Sequence, residues 1–309
     1  MESLISSTKI SLPSQKKNYE SLDDEKCQET VKAIQENKDT LTYIGLSGNS
    51  YSKTFCESFA ELIKATPNLE RLNANDMFVS RLKDDIAFSM EYLTGALINK
   101  SKFIALDLSN NAVAPNGAQA ISKFFESSPC LGIFLINNCG LGIQGSTIIA
   151  NAFKKGKVNL EVLAMARNRL ENEGTKAIAS ALEGMDKIKE VYLFQDVIRK
   201  DGMVALLDAL MTKNLDTLDI SDNFINEESV EKFCEFLEKN ESIKNLNVSD
   251  CNIQKDDNKR IVEALEVIIS NFLESVLIFF RKVKLLSEDS DTTTTNYLMW
   301  KLLKDSLML

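Results

Sequence analysis

Two stretches decide the fold: Phe103-Ile-Ala-Leu106-Asp-Leu108-Ser-Asn-Asn111 and Leu215-Asp-Thr-Leu218-Asp-Ile220-Ser-Asp-Asn223. Both read L-x-x-L-x-L-x-x-N, with apolar residues at the first, fourth and sixth places and asparagine at the ninth. The pattern recurs at Leu41/Ile44/Leu46, Leu69/Leu72/Ala74, Leu131/Phe134/Ile136, Leu160/Leu163/Met165, Ile188/Val191/Leu193 and Ile243/Leu246/Val248. Successive starts lie 28, 34, 28, 29, 28, 27 and 28 residues apart. A period of this size with this pattern predicts a leucine-rich-repeat solenoid: an α/β horseshoe with parallel strands on its concave face and helices on the convex face.

Each unit combines two periodicities. The L-x-L segment alternates as a short strand does, one set of side chains pointing into the solenoid. The ninth positions are Asn49, Met77, Asn111, Cys139, Asn168, Asp196, Asn223 and Cys251; a side chain turned inward there can bond free backbone groups at the strand's end. Amphipathic segments such as Ala118–Glu126, Thr147–Lys154, Thr175–Glu183 and Glu228–Glu238 predict the covering helices. Residues 1–40, with Ile10–Leu12 and a helix over Glu25–Gln35, read as an N-terminal cap. Residues 41–270 form the repeat domain, and 271–309 a degenerate ninth unit (Leu273/Val276/Ile278), a polar segment at Ser287–Thr295 and a closing helix at Asn296–Leu309.

Composition narrows the chemistry. The chain of 309 residues has 36 basic and 45 acidic side chains, a net charge of −9 and no histidine. Imidazole bases, Ser-His-Asp and Cys-His pairs, and His-containing zinc sites are excluded. The acidic balance disfavours nucleic acid and favours a basic protein partner. The six cysteines include no C-x-x-C pair, and the N-terminus has no apolar signal core, so reduced thiols in the cytosol are expected. The apolar run Val267–Phe280 is too short to span a bilayer and reads as a buried cap; no membrane partner or metal is expected. Sequons at Asn99, Asn240 and Asn247 read as chance matches.

Gly140-x-Gly142-x-x-Gly145 matches a dinucleotide fingerprint. Its third glycine, however, recurs as Gly117, Gly174 and Gly202 at the same place in sister repeats, which marks a repeat feature at a helix start. No phosphate-binding loop G-x-x-x-x-G-K-[ST] is present, so no nucleotide site, cofactor or intrinsic hydrolase activity is expected. Asp107, Glu190, Asp219, Asp222 and Asp250 fall on or beside the strands and read either as a solvated face or as an acidic surface for a basic partner.

The 34-residue interval breaks the repeat. About six extra residues are expected between strand and helix, in the loop Asp76–Asp85 with Arg81 near its middle. Loops that exceed the scaffold's minimum tend to carry function. The eighth positions, Asp76, Asn110, Asn138, Arg167, Gln195, Asp222 and Asp250, predict a continuous polar row along the same rim.

Four segments, NDMFVSRLKDDI (75–86), LDLSNNAVAPNGAQ (106–119), INNCGLGIQG (136–145) and ARNRLENEG (166–174), resemble the Ran GTPase-activating proteins, the likeness covering residues 40–265. The resemblance implies stimulation of GTP hydrolysis on the GTP form of a Ran-type GTPase, in nucleocytoplasmic transport, by a monomeric cytoplasmic or perinuclear protein. By alignment with the family, Arg81 is the loop arginine and Asn138 the rim asparagine that helps orient the GTPase's own glutamine. Asp76, Lys83, Asn110, Asn137, Arg167, Asn168 and Arg169 fall on contact positions. GTP and magnesium would belong to the partner. The family's F-T-G-R loop reads Phe78-Val79-Ser80-Arg81 here, so a glycine's freedom is replaced by serine. Of the acidic tail that usually follows the repeats, Glu288, Asp289 and Asp291 remain. A non-catalytic protein-binding scaffold is the alternative.

Overall fold

The fourth positions of the repeats stand side by side. Ile44, Leu72, Leu106, Phe134, Leu163, Val191, Leu218 and Leu246 are register partners across one sheet, and all are buried. A computed structural model describes residues 4–264, apart from 227, 241, 255, 256 and 258. Expectations for 271–309 lie outside the described residues.

In chain order the elements are β1 (Leu4–Ile5), β2 (Lys9–Ser11), β3 (Asn18–Tyr19), α1 (Glu25–Glu36), β4 (Tyr43–Gly45), β5 (Ser50–Tyr51), α2 (Lys53–Lys64), β6 (Arg71–Asn73), α3 (Lys83–Gly95), β7 (Ala105–Asp107), α4 (Ala114–Phe125), β8 (Ile133–Leu135), α5 (Gly142–Gly156), β9 (Val162–Ala164), α6 (Glu171–Leu182), β10 (Glu190–Tyr192), α7 (Lys200–Leu210), β11 (Thr217–Asp219), α8 (Glu228–Lys239) and β12 (Asn245–Asn247). Among the described residues ten strands form one sheet, ordered β1-β2-β4-β6-β7-β8-β9-β10-β11-β12. The pairs are parallel except β1–β2. Three-residue strands suffice because each buries its central apolar residue under the helix that follows, and neighbouring repeats complete the core.

The N-terminal segment extends the sheet. β2 pairs with β4 so that Ile10 faces Ile44, and α1 packs against β2. A second, two-stranded sheet joins β3 to β5 over a stack of Tyr19, Tyr51, Phe55 and Phe59. Mid-solenoid, Phe125, Phe134 and Phe153 pack edge to face at 4.8 to 5.9 Å, a favoured geometry for buried rings.

Helices α4, α5 and α6 begin four or five residues before the sequence reading placed them, whereas α8 begins at Glu228 as expected. The recurrent glycine lies inside the first turn and serves close packing between repeats. A Cβ on Gly174 would stand 2.5 Å from Ser146 Oγ, and one on Gly202 2.9 Å from Asn172 Cα of the preceding helix. The inserted residues of the second repeat are also distributed differently from expectation. The loop between β6 and α3 is only three residues longer than its neighbour between β7 and α4; the rest lengthen α3 and the link to β7.

The ninth positions form the predicted inward ladder. Asn111, Asn168 and Asn223 are buried. Each donates Nδ2 to the sixth-position carbonyl of the preceding repeat and to two carbonyls of its own: Ala74, Leu108 and Ser109; Ile136, Met165 and Ala166; Leu193, Ile220 and Ser221. Their Oδ1 atoms accept backbone N–H groups of Met77, Cys139 and Asp196. The thiols of Cys139 and Cys251 donate to Leu108 and Ile220 carbonyls, each at 3.2 Å.

Candidate functional site

The polar rim exists, and one backbone conformation builds it. Asp76, Asn110, Asn138, Arg167, Gln195, Asp222 and Asp250 all have φ between +49° and +60°. This left-handed turn costs most residues about 1–2 kcal/mol and favours Asn and Asp. From Asp76 to Asp222, the backbone N–H of each donates to the seventh-position carbonyl of the next repeat, as Asn110 to Asn137, Asn138 to Ala166 and Arg167 to Phe194, at 2.8 to 3.0 Å. That bond extends the sheet ladder past the strand ends and turns the eighth side chain outward. Strand spacing of about 4.8 Å puts the Asp76 and Arg167 positions roughly 14 Å apart along the edge.

Asn138 is exposed and belongs to a chain of amides. Its Nδ2 donates to Asn110 Oδ1 at 3.0 Å, Asn110 Nδ2 to Asn75 Oδ1 at 3.3 Å, and Asn75 Nδ2 to Asp107 Oδ2 at 3.4 Å. The Asp107 carboxylate thus anchors a relay that ends in a solvent-facing amide. Asn137 is tied to the scaffold: its Oδ1 accepts from Ala166 N–H at 2.9 Å and its own N–H donates to Ser109 Oγ.

Arg81 does not present a free guanidinium. Nη2 and Nη1 hold the two carboxylate oxygens of Glu20 at 2.8 and 3.2 Å, and Nε donates to Ser50 Oγ at 3.0 Å. Ser50 Oγ donates in turn to the Val79 carbonyl at 2.7 Å, and Ser50 bridges Phe78 in antiparallel fashion. Arg81 therefore braces the long loop against β5 and the N-terminal segment. Ser80 sits at φ +61°, the conformation that a glycine would adopt without strain. Val79 and Leu82 are 52% and 74% exposed, leaving an apolar tip on the braced loop. Lys83 is exposed at the start of α3, followed by Asp84 and Asp85, whose charges suit the helix N-terminus.

Arg167 and Arg169 are exposed at the rim, and the Arg167 guanidinium lies 5.6 Å from the Phe194 ring. Arg169 adopts φ +55° where the preceding repeat has Gly140 at φ +65°. Asn168 requires a correction. The contact role expected for it is incompatible with 1% exposure and an amide spent on five backbone groups; it supports the loop that carries Arg167 and Arg169.

The concave face is apolar at its middle, with Ile133, Leu135 and Val162 half-buried. Acids flank it: Asp107 on one side, and on the other Glu190, which accepts from Tyr192 OH at 2.8 Å, and Asp219, which accepts from Asn247 Nδ2 at 3.0 Å. Burial, with Glu190 beside it, pushes the Tyr192 phenol up to about 12. Among the described residues no cluster of His, Cys, Asp or Glu could hold a metal, and no helix is long and apolar enough to cross a membrane. Asn240 is buried, so that sequon is closed to modification in the fold.

A leucine-rich-repeat family model matches residues 100–122 and 157–179. The chain is 32% identical over 183 residues to Ran GTPase-activating protein 1 of Xenopus laevis, covering 55% of this chain and 31% of that protein. It is 31% identical over 194 residues to the Ran GTPase-activating protein of Drosophila melanogaster, covering 59% and 32%. Ran GTPase-activating protein 1 of Saccharomyces cerevisiae matches at 27% over 228 residues, covering 69% and 56%. The aligned region thus spans between about a third and somewhat over half of these relatives' lengths.

Proposed function

We propose, for a leucine-rich-repeat chain homologous to the Ran GTPase-activating proteins, the activation of GTP hydrolysis on a Ran-type small GTPase in its GTP form. The observation that carries this reading is the Asn138–Asn110–Asn75–Asp107 relay on the rim beside the braced loop. Asn138, rigidly turned outward, offers an amide that can hold the dipole of a partner's glutamine side chain. That glutamine then aligns the attacking water. Such positioning catalysis requires no proton transfer by the activator, in keeping with a chain that has no histidine.

The other side chains divide the work. Arg81 fixes the loop so that Val79 and Leu82 meet the partner in one conformation. Arg167 and Arg169 contact it further along the rim. Glu190, Asp219, Asp222 and Asp250 attract a basic surface and speed docking. GTP and magnesium stay with the partner. The protein would act as a monomer in the cytoplasm, in the hydrolysis arm of nucleocytoplasmic transport.

Single-turnover hydrolysis of Ran-bound GTP, with catalytic amounts of this protein, tests the reading. Small-GTPase activators raise intrinsic rates by roughly 10⁵-fold, so a large acceleration on Ran with none on Ras is expected. Binding without acceleration would favour the protein-binding scaffold, a reading kept alive by Ser80 in the loop.

A further inference from the structure

Asp196 occupies the ninth position of its repeat, between the rungs made by Asn168 and Asn223. It is completely buried. Its Oδ1 accepts the backbone N–H of Asn168 at 2.6 Å, the role that Oδ1 plays in the neighbouring asparagines. Its Oδ2 has no hydrogen-bond partner among the described residues. In sister repeats the second atom at this position is always a donor where the residue is Asn111, Asn168, Asn223, Cys139 or Cys251, and always to carbonyl oxygens. The carbonyls that the Asn168 amide bonds in its repeat, those of Ile136, Met165 and Ala166, correspond by register to those of Met165, Leu193 and Phe194 around Asp196. A carboxylate oxygen among carbonyl oxygens is repelled; a carboxylic acid O–H is not.

We propose that Asp196 is held as a neutral carboxylic acid whose Oδ2–H completes the rung that asparagine completes elsewhere, and that it is a positioning residue for the rim segment Arg167–Leu170. The segment depends on this rung because the Asn168 N–H is bonded to it directly. Arg167 and Arg169 sit there at φ +60° and +55°, so their outward aim depends on the firmness of the support. Charged groups on the segments packed around Asp196 are Arg167, Arg169 and Glu171 on one side and Arg199 and Asp222 on the other. All five are exposed, and none supplies a counter-charge to the buried carboxyl.

Burial pushes the Asp196 carboxyl up to about 7, against the opposing pull of the N–H groups of Asn168, Leu170 and Arg169. The folded form thus binds a proton that the unfolded chain, with an aspartate near 3.9, has released above that value. The stability contributed by the proton is present in full below about pH 4 and is lost as the pH rises to about 7, beyond which the curve is flat. The rim segment itself loosens only as the folded carboxyl gives up its proton, around pH 7.

Asp196→Asn carries a permanent donor and is the comparison. Urea unfolding of both proteins at pH 5, 6, 7 and 8 should give a ratio of unfolding constants, wild type over variant, that rises up to about tenfold per unit to pH 7 and then levels. A ratio constant from pH 5 to 8 would overturn the proposal. In the wild type alone, the Asn168 amide resonance should titrate once near neutrality; no transition between pH 4.5 and 8 would likewise overturn it. The link to activation rests on the function proposed above. Acceleration of Ran-bound GTP hydrolysis should fall in the wild type relative to Asp196→Asn between pH 6 and 8. Coincident profiles alongside a titrating amide would remove the positioning role. Absence of acceleration in both proteins would count against the proposed function, while the unfolding and resonance measurements still decide the proton.

Discussion

Arg81 and Glu20 form a two-pronged ion pair across 61 residues of chain, with the arginine side chain 17% exposed and the glutamate 68%. The pair ties the long loop of the second repeat to the N-terminal segment. Half-exposed pairs of this kind contribute at most about 1 kcal/mol to stability, so the value of the contact lies in where it holds the loop. Arg81→Ala should lower activation of Ran-bound GTP hydrolysis by more than about tenfold with little change in melting temperature. Arg81→Lys should not rescue it, because an ammonium cannot reproduce the fork. Glu20→Ala should reproduce much of the defect. Full activity in Glu20→Ala beside an inactive Arg81→Ala would show that Arg81 acts on the partner directly.

Ser80 at φ +61° stores strain next to that brace. Ser80→Gly relieves about 1–2 kcal/mol of left-handed strain and gives back about 0.5–1 kcal/mol in unfolded-chain entropy. The net expectation is a gain of roughly 0.5–1 kcal/mol with activation unchanged. Urea midpoints at constant slope measure it; a loss of stability would mean that the serine hydroxyl, not the backbone, matters there.

Much of this was legible in the sequence because period and pattern overdetermine a solenoid. Ile44 through Leu246 could be lined up before any coordinates, and the inward role of the ninth residue followed from its polarity among apolar neighbours. The rim row was legible as polarity, but its cause was not. Asn110 and Asn138 hint at left-handed backbone, whereas Arg167 and Gln195 carry no such signal and adopt it because the sheet bond to the next repeat imposes it. Glu20 was invisible as a partner of Arg81, since nothing local links the two. Asn168 was misplaced because contiguity with Arg167 and Arg169 in a family segment was allowed to outweigh its ninth-position register.

Asn138 should separate rate from binding. Because it stands at φ +53°, Asn138→Ala mixes loss of the amide with backbone strain, and Asn138→Gly is the cleaner deletion. Asn138→Gly should lower the single-turnover rate by about 10²-fold, comparable to losing one preorganised hydrogen-bonding group in an active site, while affinity for the GTP-bound partner changes less than threefold by roughly the same reasoning. Asn110→Ala, which unmoors the Asn138 amide, should give a smaller defect of the same kind. Equal rates in Asn138→Gly and the parent would remove this residue from the mechanism.

Asn168 should behave in the opposite way. Asn168→Ala leaves the Cys139 N–H and the carbonyls of Ile136 and Met165 unpaired in a dry interior. Each orphaned group costs about 1–3 kcal/mol, and partial relaxation limits the total to about 3 kcal/mol. The loss should appear in unfolding midpoints and in faster exchange of the Cys139 amide. Any fall in activation should vanish at temperatures where the variant is fully folded, unless Arg167 and Arg169 have shifted with their support. Restoring activation by cooling would therefore place Asn168 in the scaffold, and a defect that persists in the folded variant, with Cys139 still protected, would return it to the interface.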